Sequence, residues 1–174
     1  MKIILFAVII IASSVSASAQ IFPSGGGKID AKYDRFTDKT TVALYELQVL
    51  QRDFDLDHLR LYLSAGFNFE YSKKPEFVAL VFSSWSLWND RYREPAALNV
   101  ILDAKRKQFG EFLPTKREVI NGKYVVTLIA RVTTSDFLQL ANAKKVEMRL
   151  GDVEFSLSER SLTALHDFAR RIEP

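Results

Sequence analysis

Between His58 and Tyr71 the chain reads HLRLYLSAGFNFEY, with Leu59, Leu61, Leu63, Ala65, Phe67, Phe69 and Tyr71 alternating against His58, Arg60, Tyr62, Ser64, Asn68 and Glu70. An apolar residue at every second position, sustained over fourteen residues, is the period of an extended strand whose side chains point alternately to two faces. One face of such a strand is buried and the other is wet, so a second layer must cover the buried side. Gly66, in mid-strand, is where a bulge or bend is expected.

Other segments extend the same reading. TTVALYELQVL (Thr40 to Leu50) is dense in β-branched and aromatic residues. FVALVFSSW (Phe77 to Trp85) opens with six apolar residues in a row, as expected of a central strand covered on both faces. ALNVILD (Ala97 to Asp103) reads as a further strand, with KRKQFGEFLP returning antiparallel and Lys105-Arg106-Lys107 at a charged hairpin tip. Asn121-Gly122 is a type I′ hairpin signal, since both central residues of that turn need positive φ, and it leads into KYVVTLIARV (Lys123 to Val132). Thr134 or Ser135 then caps a short helix, with Asp136 in its first turn and Phe137, Leu140 and Ala141 on one stripe.

Near the C-terminus, VEMRLGDVEFSL folds about Gly151-Asp152 so that Leu150 meets Val153, Met148 meets Phe155, Val146 meets Leu157, and Arg149 meets Glu154 on the other face. Ser158 caps a helix from Glu159 to about Ile172, Leu157 packs on Leu162 as a hydrophobic staple, and Leu162, Leu165, Phe168, Ala169 and Ile172 line its apolar face. The expected fold is mainly β in the α+β class. Its core is an antiparallel β-sandwich-like or partly closed barrel sheet, with a short helix and a C-terminal helix packed on it.

No cysteine occurs, which excludes disulfides, thiolate metal sites and cysteine nucleophiles and leaves the fold to its core alone. Lys2, the apolar run IILFAVIIIA and Ala17-Ser18-Ala19 have the layout of a secretory signal peptide cleaved after Ala19, too short to stay as a membrane span. Residues 1–19 are thus read as a signal, 20–32 as a Gly-rich flexible leader and 33–174 as one β-rich domain, exported to the periplasm or beyond the cell. The Gly-Gly-Gly-Lys of the leader is not a phosphate loop, because Ile29 stands where Ser or Thr would hold magnesium. Removing Lys2 leaves 23 basic against 21 acidic residues, with signs interleaved, which argues against nucleic acid as a partner.

Candidate chemistry is sparse. DFDLDH (Asp53 to His58) starts like a calcium loop, but His58 and Ser64 occupy the positions that need glycine and glutamate, and the alternation slips at Asp57-His58 as at a turn. His58 and His166 are the only imidazoles and lack zinc-site spacing, and no serine-hydrolase motif is present, although Ser83, Ser84 or Ser86 with His58 would supply the groups for a remote triad. Neither a catalytic residue nor a metal or cofactor is therefore assigned. SSWSLWNDRYREP (Ser83 to Pro95) sets aromatics beside hydrogen-bonding groups, so Trp85, Trp88, Arg91 and Tyr92 are the candidate binding residues; Trp85 shares a face with Leu87, a spacing that also suits packing.

The C-terminal third, with A-x-x-V-E, a tight hairpin, then F-x-L-S leading into a leucine-spaced helix, resembles small exported bacterial proteins of uncharacterised function. The resemblance implies a bacterial, exported setting and carries no activity. The functional expectation is a non-catalytic binding or envelope-interaction module, whose partner is another envelope protein or a small ligand. Two alternatives stand beside it: a carrier of a small apolar ligand lined by the odd-numbered face of Leu59 to Tyr71, and a hydrolase built around Asp55, Asp57 and His58.

Overall fold

The computed structural model describes residues 20–23, 27–54, 57–70, 73–87, 98–109, 111–113, 116–151 and 153–172. Five strands, β1 (Gln20–Pro23), β2 (Lys28–Asp34), β3 (Lys39–Phe54), β4 (Asp57–Glu70) and β5 (Phe77–Ser86), lie side by side as an antiparallel meander. The chain then leaves to form β6 (Leu98–Leu102) and β7 (Lys105–Phe109) of a second sheet. It returns as β8 (Glu111–Phe112) and β9 (Lys116–Ile120), which share the outer edge of β10 (Lys123–Thr133), and β10 fills the place beside β5. After α1 (Thr134–Asn142) come β11 (Val146–Leu150), β12 (Val153–Ser156) and α2 (Glu159–Ala169). The small sheet runs β12-β11-β6-β7, and neither sheet closes into a barrel. The expectation of a sandwich-like α+β fold is met.

Sequence chemistry explains several local details. Asn121 (φ 51°) and Gly122 (φ 74°) both sit in the left-handed region, as the β9–β10 hairpin requires. The C-terminal hairpin has the register expected from its cross-strand pairs, Leu150 opposite Val153, Arg149 opposite Glu154 and Met148 opposite Phe155. Ser158 caps α2 by accepting from the Ser161 amide, which satisfies one of the free N–H groups of the first turn. For α1 the cap is Thr133, one residue before the expected Thr134, and its hydroxyl accepts from the Asp136 amide.

Three other expectations differ from the structure. The irregularity expected at Gly66 lies instead in its partner strand: sixteen-residue β3 pairs end to end with fourteen-residue β4, and bulges between Leu44 and Leu47 and between Gln48 and Leu50 absorb the surplus. Each bulge reverses which parity faces inward, so Val42 and Leu44 are buried and then Leu47, and the strand shows no clean alternation. In β5 only the even-numbered face is fully buried, and the odd positions are half-exposed. Where an aperiodic leader was read, β1 and β2 extend the large sheet, and a Cβ at Gly27 would lie 2.7 Å from methyl carbons of both Leu44 and Leu47. Close approach of β3 accounts for glycine at that position.

One face of the large sheet carries Leu59, Leu61, Leu63, Leu80, Phe82 and Leu128, none of them exposed to solvent, into a core cluster that also holds the inner faces of α1, α2 and the small sheet. Phe168 of α2 packs edge-on against Phe67 of β4 at 5.2 Å and Phe137 of α1 at 5.6 Å. Phe82 of β5 meets Phe155 of β12 at 6.4 Å, tying the two sheets together. Because Phe168 is wholly buried at the junction of three elements, Phe168→Ala should cost about 3–5 kcal/mol in urea unfolding. Phe36→Ala, at a side chain 85% exposed, should leave the midpoint within experimental error.

Candidate functional site

Of the residues favoured by the sequence, Trp88, Arg91 and Tyr92 lie outside the described residues, as do Asp55 and the side chains of Asp53, Asp57 and His58. The pairing of β3 with β4 runs out to Phe54 opposite Asp57, which agrees with a chain reversal at the phase slip. The three serines offered as alternatives for a remote triad with His58 lie on two faces of β5. Ser84 (1% exposed) and Ser86 (5%) point into the buried side of β5, whereas Ser83 belongs to the half-exposed side. Among the described residues no three His, Asp or Glu side chains gather where a metal ion could be held.

Trp85 stands on the outer face of the large sheet, opposite Arg60 of β4 on one side and Val125 of β10 on the other. The same face of β5 and β10 continues with Ser83 opposite Thr127, Val81 opposite Ile129 and Ala79 opposite Arg131. On the β4 side, Tyr62 is opposite Ser83, Ser64 opposite Val81 and Gly66 opposite Ala79. A sheet with one face on the core normally turns polar residues to water on the other. Here the outer face of β5 and β10 carries apolar rows, Trp85 with Val125 and Val81 with Ile129, on either side of the hydroxyls of Ser83 and Thr127, and Val125 is 8% exposed while standing apart from the main core cluster. Guanidinium groups mark the two ends of the strip: Arg60 beside Trp85, and Arg131 stacked 3.7 Å over the ring of Phe77.

A second surface lies on the outer side of the small sheet, where a groove of about 440 Å³ crosses the strands. One cross-strand row of its floor is Ser156, Glu147, Ile101 and Arg106. The adjacent row is Glu154, Arg149 and Asn99. Arg149 and Glu154 are paired at 3.8 Å, and Lys145 and Glu147 at 2.5 Å, with Glu147 raising the Lys145 ammonium above its usual range. The β6–β7 turn that presents Arg106 holds Asp103 (φ 47°) and Ala104 (φ 71°) in the left-handed region. Asp103 Oδ1 accepts from the amides of Lys144 at 3.0 Å and Lys145 at 2.9 Å, so its carboxylate fastens the turn to the entry of β11.

The β2–β3 turn is also stiffened by side chains. Asp34 accepts from the Phe36 amide at 2.9 Å and the Thr37 hydroxyl at 3.0 Å, and Tyr33 donates to Asp38 at 2.9 Å. The first pair of bonds lowers the Asp34 carboxyl below its ordinary value, while the bond to Asp38 raises the Tyr33 phenol. A depressed carboxylate stabilises its structure above the unfolded value and loses that contribution as pH falls through the folded one. An NMR titration of the Asp34 side chain should therefore show a midpoint below that of an unperturbed aspartate, with the Phe36 amide signal shifting in the same transition. The chain matches no protein-family model, and neither curated proteins nor solved structures provide a similar chain.

Proposed function

We propose that the protein is an exported, non-catalytic binding module that docks a protein of the cell envelope on the outer face of its large sheet. The observation that carries this reading is the pair of apolar rows on β5 and β10, Val81 with Ile129 and Trp85 with Val125, separated by Ser83 and Thr127, on the side that a covered sheet would otherwise fill with polar groups. An apolar centre with a polar rim is how protein-binding patches are built, and aromatic and arginine side chains supply much of their energy. Arg60 and Arg131 at the ends of the strip suit a partner with an apolar ridge flanked by acidic residues. Trp88, Arg91 and Tyr92 follow Trp85 closely in sequence and belong to the proposed site on that ground.

The carrier alternative draws less support. It needs an open space along the odd-numbered side chains of β4, yet Leu59, Leu61 and Leu63 are unexposed members of the core cluster. The hydrolase alternative rests on Asp55, Asp57 and His58, whose side chains lie outside the described residues. No helix among the described residues is long and apolar enough to cross a membrane.

Recovery of partners from the host's envelope fraction tests the proposal, with wild type, Val81→Asp and Val81→Ser compared by quantitative mass spectrometry. Proteins bound by wild type should fall at least about tenfold with Val81→Asp, the scale expected when a charge enters an apolar contact. Val81→Ser, a milder change, should fall between them. Thermal melts identify any variant that has lost its fold. Equal recovery by all three folded proteins would remove the large-sheet face as the docking site. Retention of residues 1–19 in the exported protein's intact mass would remove the cleaved-signal reading separately.

A further inference from the structure

The groove on the small sheet has its own charge balance, independent of the Trp85 face. Glu154 is paired with Arg149 and Glu147 with Lys145. Lys107, on the groove wall, turns its ammonium toward α1, 3.6 Å from Asp136, and donates to Gln139. Arg106 is left as a guanidinium with no ion-pair partner among the described residues, and the described lining, Arg106, Lys107 and Arg149 against Glu147 and Glu154, has one positive charge in excess. Ile101 lies between Arg106 and Glu147 on this solvent side, half-buried where a polar residue would be usual.

We infer that this groove binds a singly charged organic carboxylate with a short apolar body. The Arg106 fork receives the carboxylate, Ile101 supports the apolar part, and the Asn99 amide lies in the adjacent row to donate a hydrogen bond. A planar carboxylate matches two parallel guanidinium N–H groups, a geometry that an ammonium cannot offer. Glu147 and Glu154 line the same groove, so a dianionic head such as a phosphate monoester would meet two negative charges where a carboxylate needs only the spare positive one. From Arg106 to Glu147 is two inter-strand spacings, about 10 Å, which limits the body to a short chain or a single ring. The volume of about 440 Å³ is in the range of small-molecule sites. The turn preceding Arg106 is fixed to β11 through Asp103, so little ordering is required on binding.

The test is an NMR titration of the full-length mature protein, wild type and Arg106→Gln, with hexanoate, hexanamide and hexyl phosphate. Hexanoate should shift the amides of Asn99, Ile101 and Arg106 saturably. Affinity should fall at least about tenfold in Arg106→Gln, the size expected for losing charge-assisted hydrogen bonds. Hexanamide should give no saturable shift and hexyl phosphate a weaker one than hexanoate. Arg106 is exposed, so its replacement should leave the melting temperature unchanged. No saturable shift at those three amides, unchanged affinity in Arg106→Gln, or hexanamide binding as well as hexanoate would each overturn the inference. Tighter binding of hexyl phosphate would overturn the assignment of a singly charged head.

Discussion

Phe168 sits where the C-terminal helix, the first helix and the large sheet meet, edge-on to both Phe67 and Phe137. Together with Phe82 against Phe155, it makes an aromatic seam that holds both helices and the small sheet over one face of the large one. In a chain without cysteine this burial has no covalent support. The rest of the architecture follows from it: the register of β4 sends Leu59, Leu61 and Leu63 to the seam, and the chain order sends β6, β7, β11 and β12 to the same side.

Covering one face leaves the opposite faces of both sheets to water, and the two outer faces differ in character. The large sheet shows two apolar rows, Val81 with Ile129 and Trp85 with Val125, separated by hydroxyls and bounded by arginines, suited to a broad contact with another surface. The small sheet shows charges mostly cancelled in pairs around a single isoleucine, suited to a small polar-headed molecule. Both surfaces are set on strands rather than on long loops, so their side chains are spaced by hydrogen-bond ladders that resist rearrangement.

Local sequence was informative wherever the deciding interactions were local. The β4 alternation, the Asn121-Gly122 turn, the Gly151-Asp152 hairpin and the Ser158 cap each depend on residues within a few positions of one another, and each is present in the structure. Reading failed where a distant neighbour set the outcome. The glycines before Lys28 look like flexible chain until Leu44 and Leu47 are seen to press on Gly27. Thr40 to Leu50 is a strand as expected, but the two bulges that change which of its side chains face inward show only in its pairing with β4. The site residues divide in the same way: Trp85 stood out by type, whereas Arg106 passed as one charge in a hairpin tip.

By itself, then, the sequence determined a cysteine-free, mainly antiparallel β chain with a capped helix at its end, because periodicity, turn residues and caps act over a few positions. Tertiary structure alone decided that β10 enters beside β5 and that β6 pairs with β11, placing Val125 next to Trp85 and Asn99 next to Arg149. Those pairings join segments forty residues apart, from Trp85 to Val125, and fifty apart, from Asn99 to Arg149. They are selected by the total apolar area each arrangement buries, a property of the assembled layers that no short window of residues contains.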